Sequence, residues 1–331
     1  MDWRPRCGCA RAATVSPRWI GFTTTSIYTL IHYLEREWGI HFAMGGTASI
    51  VAGLGRLLAE EGVTIRLGEG VEEITCARHD GRTGSRVTGV RLAGGVGLAA
   101  DVVVANADAP FVYQRLVAPE FRRKWTDRRL RRLRYSMGLF VLYFGTRKTY
   151  PDLAHHMILL GPRYKGLLAD IFNGHRLPDD FSLYLHAPTR TDPSMAPAGC
   201  ESFYVLAPVP NLQASIDWSV AGPRLRDRIL DHLQDTVLPG LRAHLAEQFC
   251  VTPEHFRDTL LSRHGTGFSI QPILRQSAYF RFHNRSEDVD GLFLAGAGTH
   301  PGAGMPGVLS SAKVLDRLLP AVGTAAGNVA P

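Results

Sequence analysis

A glycine-rich stretch near the C-terminus holds the residues best suited to binding a ligand. GLFLAGAGTHPGAGMPGVLSSAKVLDRLL occupies positions 291–319, and its apolar start predicts a buried strand that leads into a loop and then a helix. Glycines let a backbone approach a ligand where a Cβ would clash. Pro306 suits the first turn of a helix, whose N-terminus offers N–H groups and a positive dipole end to an anionic or electron-rich ligand. The pattern predicts a ligand site, with a glycine-rich loop that binds nothing as the alternative.

Within this stretch Gly302, Gly304 and Gly307 satisfy the spacing G-x-G-x-x-G. A dinucleotide fingerprint also needs a following strand with an acidic residue about twenty positions further on. The chain ends too soon for that arrangement, so we do not expect this match to hold a dinucleotide. His300 in the same loop is a candidate base, but a loop histidine in such a place more often hydrogen-bonds to backbone.

Two other groups of residues have the chemistry of metal ligands. His155 and His156 are neighbours in a predicted strand, where successive side chains point to opposite faces, so we expect them not to chelate one ion. Cys7-Gly8-Cys9 lacks a second Cys/His pair at zinc spacing. The five cysteines are odd in number and scattered, which indicates reduced thiols rather than a disulfide framework. The sequence therefore predicts no metal site.

The elements that must position these residues predict a mixed α/β fold. The predicted helices lie at 22–39, 49–62 and 223–249, the last kinked or broken at Pro239-Gly240. The predicted strands lie at 63–67, 71–78, 86–93, 100–107, 136–146, 155–161, 181–189 and 201–209. The run Val-Val-Val-Ala within 100–107 predicts a strand that is buried on both faces.

Length and composition are those of a globular protein with room for two domains. The chain has 331 residues, of which 45% are hydrophobic and 20% charged. It has no run of eighteen apolar residues and no secretory signal at its start, so we expect a cytoplasmic protein. The net charge is +7, and the segment 121–134 carries a charge of this size by itself, with eight basic residues and one acidic residue.

The C-terminal motif is similar to the flavin-contacting signature of bacterial-type phytoene desaturases, the FAD-dependent carotenoid dehydrogenases. The resemblance runs from about residue 21 to the end of the chain. Segments in family order that also carry it are FTTTSIYTLIHYLEREWGIHFAMGGT, FVLYFGT, LAHHMILLGPRYKGL, DFSLYLHAPTRTDPSMAPAGCESFYVLAPVPNL, GPRLRDRI and QSAYFRFHNR.

This resemblance implies part of an FAD-binding domain interleaved with a substrate domain. The implied ranges are 1–20 as an unrelated or disordered segment, 21–44 as a helical connection from the substrate domain, 45–115 as the remaining FAD-binding part, 116–270 as the substrate-binding and membrane-facing domain, and 271–331 as the C-terminal FAD-binding motif and helix. The family begins with a strand, G-x-G-x-x-G and helix that hold the ADP half of FAD, and these are not found here. We therefore expect a truncated fragment that binds FAD poorly.

The resemblance also implies which residues contact FAD. The implied contacts are Val71, Asn106, Gly296, Ala297, Gly298, Met305, Pro306, Gly307 and Val308. Val71 would lie beside the adenine, although a core strand residue is an equally good interpretation. The proposed acid and base residues of the family belong to the segment that is not found, so the catalytic residues of this chain stay unknown.

The implied reaction is removal of hydrogen from a saturated carbon–carbon bond that flanks a polyene, with phytoene or a related carotenoid as substrate. The aromatic strands at 136–146, 181–186 and 202–206 are suitable walls for a long hydrocarbon, and equally ordinary core strands. Two alternatives stay open. One is a sister desaturase of a hydroxylated, methoxylated or C30 carotenoid, and the other is an inactive remnant or a membrane-adherent binding protein.

A substrate that resides in the bilayer implies a protein that is peripheral on the membrane. In the segment 121–134, Phe121, Trp125 and Leu133 can share one helical face among the arginines. Such a basic amphipathic helix can lie in the headgroup region of an anionic membrane. A solvated helix without a partner is the alternative. Nucleic acid is not expected as a partner, because a single patch lacks aromatic interleaving elsewhere.

Overall fold

The computed structural model describes residues 27–79, 84–174 and 176–320. The segment 1–20, with Cys7 and Cys9, lies outside the described residues. The chain divides into two compact units, Met1–Ile65 with Met137–His255, and Arg66–Ser136 with Phe256–Pro331. These units place the basic segment 121–134 with the C-terminal motif, whereas the ranges implied by the resemblance place it with the substrate domain. The functional assignment of those ranges stays a prediction.

The described residues form ten strands and a set of helices, which confirms the mixed α/β class. The strands are β1 Val71–Arg78, β2 Ser85–Leu92, β3 Gly97–Ala99, β4 Val103–Ala105, β5 Gly138–Thr146, β6 His156–Leu159, β7 Leu183–His186, β8 Glu201–Val209, β9 Leu245–Val251 and β10 Leu292–Leu294. The α-helices are Ile27–Trp38, Thr47–Glu60, Ala109–Phe111, Asp127–Arg131, Tyr164–Asn173, Trp218–Thr236, Leu241–His244, Pro253–Asp258 and Met305–Leu315. A π-helical turn, Val112–Leu116, continues the helix at Ala109–Phe111.

The first unit is built on a five-stranded antiparallel sheet with the order β6-β7-β8-β5-β9. Along β8 buried and half-buried residues alternate, as expected for a strand with one covered face. Its buried residues Phe203, Val205 and Ala207 pack with Leu225 and Ile229 of the long helix. Burial of this apolar surface, at about 25 cal/mol per Å², holds the helix on the sheet.

The predicted helix 223–249 is wrong beyond Thr236. The long helix ends there, and Gly240 adopts a left-handed conformation with φ of 77°. After one short helical turn, the chain forms β9 on the edge of the sheet. The break at Pro239-Gly240 is confirmed, but the residues after it pair with β5, which places Phe249 opposite Tyr143. Pairing with a ready sheet edge decides the conformation of this segment, and helical periodicity alone cannot reveal it.

The second unit holds an antiparallel sheet, β1-β2-β3, and a parallel pair, β4 and β10. Its core is aromatic: Tyr113, Trp125 and Phe282 pack together, with Trp125 and Phe282 ring centroids 4.1 Å apart. The predicted strand at 63–67 is wrong, since these residues have no strand partner in the described structure and Leu67 is 87% exposed. The predicted burial of β4 on both faces is also wrong, because Val104 is 45% exposed. Pairing with β10 covers one edge of β4 but not its faces.

Candidate functional site

The carboxyl ends of the two parallel strands bring Asn106 and Gly296 together. Leu294 lies opposite Ala105, and the Ala295 N–H donates to the Ala105 carbonyl over 3.0 Å. Gly296 has a φ of 104°, and a Cβ there would lie 2.7 Å from Asn106 Oδ1. Because such a φ is left-handed and the contact is too short, only glycine fits this position. Two of the predicted site residues therefore lie side by side where β4 and β10 end.

A buried serine attaches the C-terminal helix to this strand end. Ser311 is fully buried, and its Oγ accepts a hydrogen bond from the Gly296 N–H at 2.9 Å while donating to the Val308 carbonyl at 2.6 Å. At the start of the helix, a Cβ on Gly307 would lie 2.6 Å from the Gly302 carbonyl oxygen. The loop therefore folds back against the first helical turn. Sequence reasoning missed Ser311, because a serine carries no apolar signal.

Gly298 packs against a buried carboxylate that the sequence did not single out. A Cβ on Gly298 would lie 3.0 Å from both the Ala109 nitrogen and Asp108 Oδ1. Asp108 accepts hydrogen bonds from the Ser269 hydroxyl and from the Arg263 N–H. Burial raises the pKa of Asp108 above the ordinary range, and these hydrogen bonds oppose that rise. The protein's own packing therefore leaves little room for a side chain at Gly298, and its predicted contact with the flavin stays a prediction.

Two further side chains hold the loop from behind. Arg281 donates through Nε to the Thr299 carbonyl at 2.9 Å, and Asn284 donates through Nδ2 to the His300 carbonyl at 2.9 Å and the Leu294 carbonyl at 3.2 Å. The His300 N–H donates to the Phe282 carbonyl at 3.0 Å. His300 therefore takes part in the loop through its backbone, and its role as a base stays untested. Asn284 and Arg281 are separated from the motif in sequence, and no local pattern could have revealed their role.

The helix beginning at Met305 leaves its N-terminus open. Gly304 has a φ of 94°, and among the described residues no atom apart from those of Gly304 and its chain neighbours lies within 4 Å of the position of a Cβ. No side chain caps this end, Pro306 lies in its first turn, and Met305 is 50% exposed. The backbone N–H groups of the first turn can therefore face a ligand, and the positive end of the helix dipole favours an electron-rich one. This arrangement fits the electron-rich edge of a flavin ring.

The predicted contacts fall into two places. Gly296, Ala297 and Gly298 lie in the loop, and Asn106 faces them from the end of β4. The other contacts belong to the helix that follows, namely Met305, Pro306, Gly307 and Val308. Val71 begins β1 in the separate three-stranded sheet and is 40% exposed. Its interpretation as a core residue is therefore wrong, and its contact with the adenine stays a prediction.

The basic segment 121–134 does not form one amphipathic helix. Its only α-helix within the described residues is Asp127–Arg131, and Trp125 is 2% exposed within the core of the second unit. The Trp125 indole N–H donates to Glu287 at 2.8 Å. The expected apolar face is therefore wrong, because the core and these hydrogen bonds turn the tryptophan inward. The residues left on the surface are Arg123, Arg128, Arg129, Arg131, Arg132 and Arg134.

The outer face of the sheet in the first unit carries a row of rings, here called the ring row: His156, His186, Tyr204, Tyr143 and Phe249. Each member lies directly opposite the next on the neighbouring strand. Centroids are 5.1 Å apart at His156–His186, 4.6 Å at His186–Tyr204, 5.8 Å at Tyr204–Tyr143 and 4.7 Å at Tyr143–Phe249. At about 4.8 Å between strands, the row is ~19 Å long.

The histidine pair departs from its expected geometry. His155 precedes β6, which begins at His156, so the alternation of a strand does not apply to it. The two ring centroids lie 4.3 Å apart, and one ligand nitrogen from each of His155, His156 and His186 lies within 4.8 Å of the others. The expectation that the two rings face opposite sides is wrong. Burial lowers the pKa of all three histidines, that of His186 to about 4, so these rings are neutral at neutral pH.

The chain matches a known protein family and several known proteins. Residues 18–314 match the family described as flavin containing amine oxidoreductase. The chain is 51% identical over 299 residues to the lycopene-forming phytoene desaturase of Pseudescherichia vulneris, covering 90% of this chain and 60% of that protein. It is 45% identical over 317 residues to the neurosporene-forming phytoene desaturase of Rhodobacter capsulatus, covering 93% of this chain and 60% of that one. The chain thus spans about 60% of the length of these relatives.

The fold also has solved counterparts. An oxidoreductase from Methanosarcina mazei superposes with a TM-score of 0.58 at 17% identity, over 88% of this chain and 59% of that one. This likeness concerns the fold alone. Among the described residues, no helix has both the length and the apolar character needed to cross a bilayer. The resemblance to bacterial phytoene desaturases and the expectation of FAD as the family's cofactor are both confirmed. The chain belongs to the flavin containing amine oxidoreductase family.

Proposed function

We propose that this chain is part of an FAD-dependent carotenoid desaturase that acts on phytoene or a close intermediate. Phytoene desaturases are its relatives at 45–51% identity. The structural observation that carries the proposal is the ring row on the outer face of the sheet. Such a face suits a long, flat, apolar substrate and offers little to a small polar amine.

The residues of the second unit supply binding and orientation. The open N-terminus at Gly304 and Met305 would hold the electron-rich part of the flavin ring, and the strand end at Asn106 and Gly296 would lie beside the cofactor. Arg281 and Asn284 keep the loop in the shape that this binding needs. Bound FAD would accept a hydride from the substrate, a proton would leave the neighbouring carbon, and the two carbons would gain a double bond.

The ring row supports a hydrocarbon substrate by its length and its exposure. Tyr143 is 37% and Phe249 62% exposed, so these rings are open to a ligand. Aromatic contacts with a flat apolar group are each worth about 0.5–1.5 kcal/mol beyond the area that they bury. A row ~19 Å long spans several conjugated double bonds and can hold them in line.

The proposal is tested with a fusion that supplies the N-terminal portion of the Pseudescherichia vulneris desaturase ahead of this chain. We expect phytoene desaturation that requires FAD and does not accept a nicotinamide in its place. Tyr204→Ala and Tyr143→Ala should each lower kcat/KM roughly two- to tenfold, from the loss of about 0.5–1.5 kcal/mol. Tyr279→Ala, which removes a tyrosine that is 76% exposed outside the row, serves as the matched control.

An FAD-loaded fusion without activity would instead favour a carotenoid-binding protein. Equal losses in the row variants and in the Tyr279 variant would remove the row from the substrate site. Offering C40 and C30 polyenes side by side separates the proposed substrate from the sister activity. The lower identity to the 4,4'-diapophytoene desaturase of a Methylomonas species, 34%, favours the C40 substrate.

We further propose that the protein is cytoplasmic and peripheral on the membrane, held by charge rather than by an inserted apolar face. The exposed arginines between 121 and 134 supply a dense positive surface, and each basic residue near an anionic bilayer contributes about 1 kcal/mol. The inward position of Trp125 leaves this segment without an apolar wedge. Such an attachment would bring the protein to a hydrocarbon substrate that resides in the bilayer.

A further inference from the structure

The geometry points to a zinc site formed by His155, His156 and His186 at one end of the ring row. One ligand nitrogen from each residue lies within 4.8 Å of the other two, and this is the one such group of three among the described residues. The three residues are brought together by the loop before β6, by β6 and by β7. His156 lies directly opposite His186 in this strand pair.

The spacing of the nitrogens is close to what a zinc ion requires. Zinc binds imidazole nitrogens at about 2.0–2.1 Å in a tetrahedron, which sets them ~3.4 Å apart. His155 Nε2 and His186 Nε2 are 2.8 Å apart, and one ligand nitrogen of each of the three residues lies within 4.8 Å of the other two. Side-chain rotations that move a nitrogen by ~1.4 Å therefore suffice to surround an ion.

The second ring nitrogens of His155 and His156 have hydrogen-bond partners of the kind typical of metal ligands. His155 Nδ1 hydrogen-bonds the Thr191 hydroxyl, and His156 Nδ1 lies 2.6 Å from the Tyr184 hydroxyl. Such partners fix the orientation of a ligating ring and leave its other nitrogen for the ion. In His186, Nε2 faces His155, and Nδ1 is buried without a hydrogen-bond partner among the described residues.

The choice of zinc follows from the type of ligand. Three imidazoles without a thiolate suit zinc, copper or nickel, whereas calcium and magnesium prefer oxygen ligands. The three side chains are half-buried, and we assign the fourth position to a water. Three protein ligands and one water are an arrangement that zinc adopts readily.

The test is a calorimetric titration of the metal-stripped 331-residue chain with ZnCl₂. Cys7→Ser and Cys9→Ser are introduced into every sample, so that these thiols cannot bind the added ion. We expect one zinc per chain, and at least a tenfold loss of affinity in His155→Gln and in His186→Gln. Thr191→Val should weaken binding about tenfold through the orientation of His155. His244→Ala, which removes an exposed histidine elsewhere in the same unit, should change nothing.

Cobalt gives an independent measurement of the same site. Co²⁺ in a tetrahedral site of nitrogen ligands should show intense visible bands, and these should disappear in the His186→Gln protein. Circular dichroism of each variant shows whether the sheet is retained, and the Thr191→Val protein tests the site without removing a ligand. Stoichiometric zinc binding that survives both histidine substitutions, or no binding at micromolar zinc, would overturn the proposal.

Discussion

Asp288 is expected to be the residue that fixes the basic segment to the second unit. Its side chain is 4% exposed, and its carboxylate accepts hydrogen bonds from three successive backbone N–H groups, those of Arg123 at 3.1 Å, Lys124 at 2.7 Å and Trp125 at 2.9 Å. Asp288→Ala removes the acceptor atoms of all three hydrogen bonds at once. Because the aromatic core holds Trp125 in place, the chain cannot move freely to find replacements.

The size of the effect follows from these three contacts. A buried donor left without its acceptor costs about 1–3 kcal/mol, and we take ~1 kcal/mol each because water can reach Arg123 and Lys124. The sum is ~3 kcal/mol. For a cooperative unit of this size, 1 kcal/mol shifts the melting temperature by about 2–4 °C, so a fall of about 6–12 °C is expected.

The measurement combines thermal unfolding with hydrogen exchange at the amides of residues 123–125. Exchange at these three positions should accelerate in Asp288→Ala beyond the global change. Asp290→Ala is the matched control, because its carboxylate is largely exposed and pairs with His79 and Arg285 at the surface, where such pairs contribute less than about 1 kcal/mol. Equal melting temperatures and equal exchange in the two variants would refute the reasoning.

Three further outcomes are expected. Gly307→Val should lower the melting temperature even without flavin, because the valine Cβ would lie 2.6 Å from the Gly302 carbonyl oxygen. An effect seen only with flavin bound would mean that the glycine merely leaves space for the ligand. Burial and, to a smaller extent, the charge of Arg263 lower the pKa of His264 to about 4. The unfolded chain therefore binds this proton more readily than the folded one, and stability should fall as pH drops from 6.5 to about 4. His264→Asn should flatten this part of the plot of melting temperature against pH. Replacing the four arginines at 128, 129, 131 and 132 by Gln should abolish sedimentation with anionic liposomes at low salt. Brominated lipids should not quench the fluorescence of Trp125, because its ring lies in the core. Binding that does not depend on lipid charge would contradict attachment by charge.

The sequence by itself determined the strand–loop–helix unit that ends the chain. The apolar run before Gly296 and the proline after Gly304 are local signals, and the structure has a strand and a helix where these signals predict them. Strands β1, β5 and β8 were also predicted within two residues of their observed ends. The alternation of polar and apolar residues and the turn residues that bound a strand are local features of the sequence. Extended similarity to known sequences then indicated the flavin family.

Only the tertiary structure decided which distant residues support that unit. Asn284 and Ser311 hold the glycine loop through hydrogen bonds, and Asp108 packs against Gly298 of that loop. The folded chain sets these partners, and a polar residue in a sequence carries no sign of its partner. The same holds for Trp125. In the sequence, an aromatic residue among arginines fits a membrane-facing surface as well as a core, and only the folded structure shows that it packs against Phe282 in the core. His155 differs from its predicted position for a smaller reason, because a strand that begins one residue later frees its ring from the alternation and turns it toward His186.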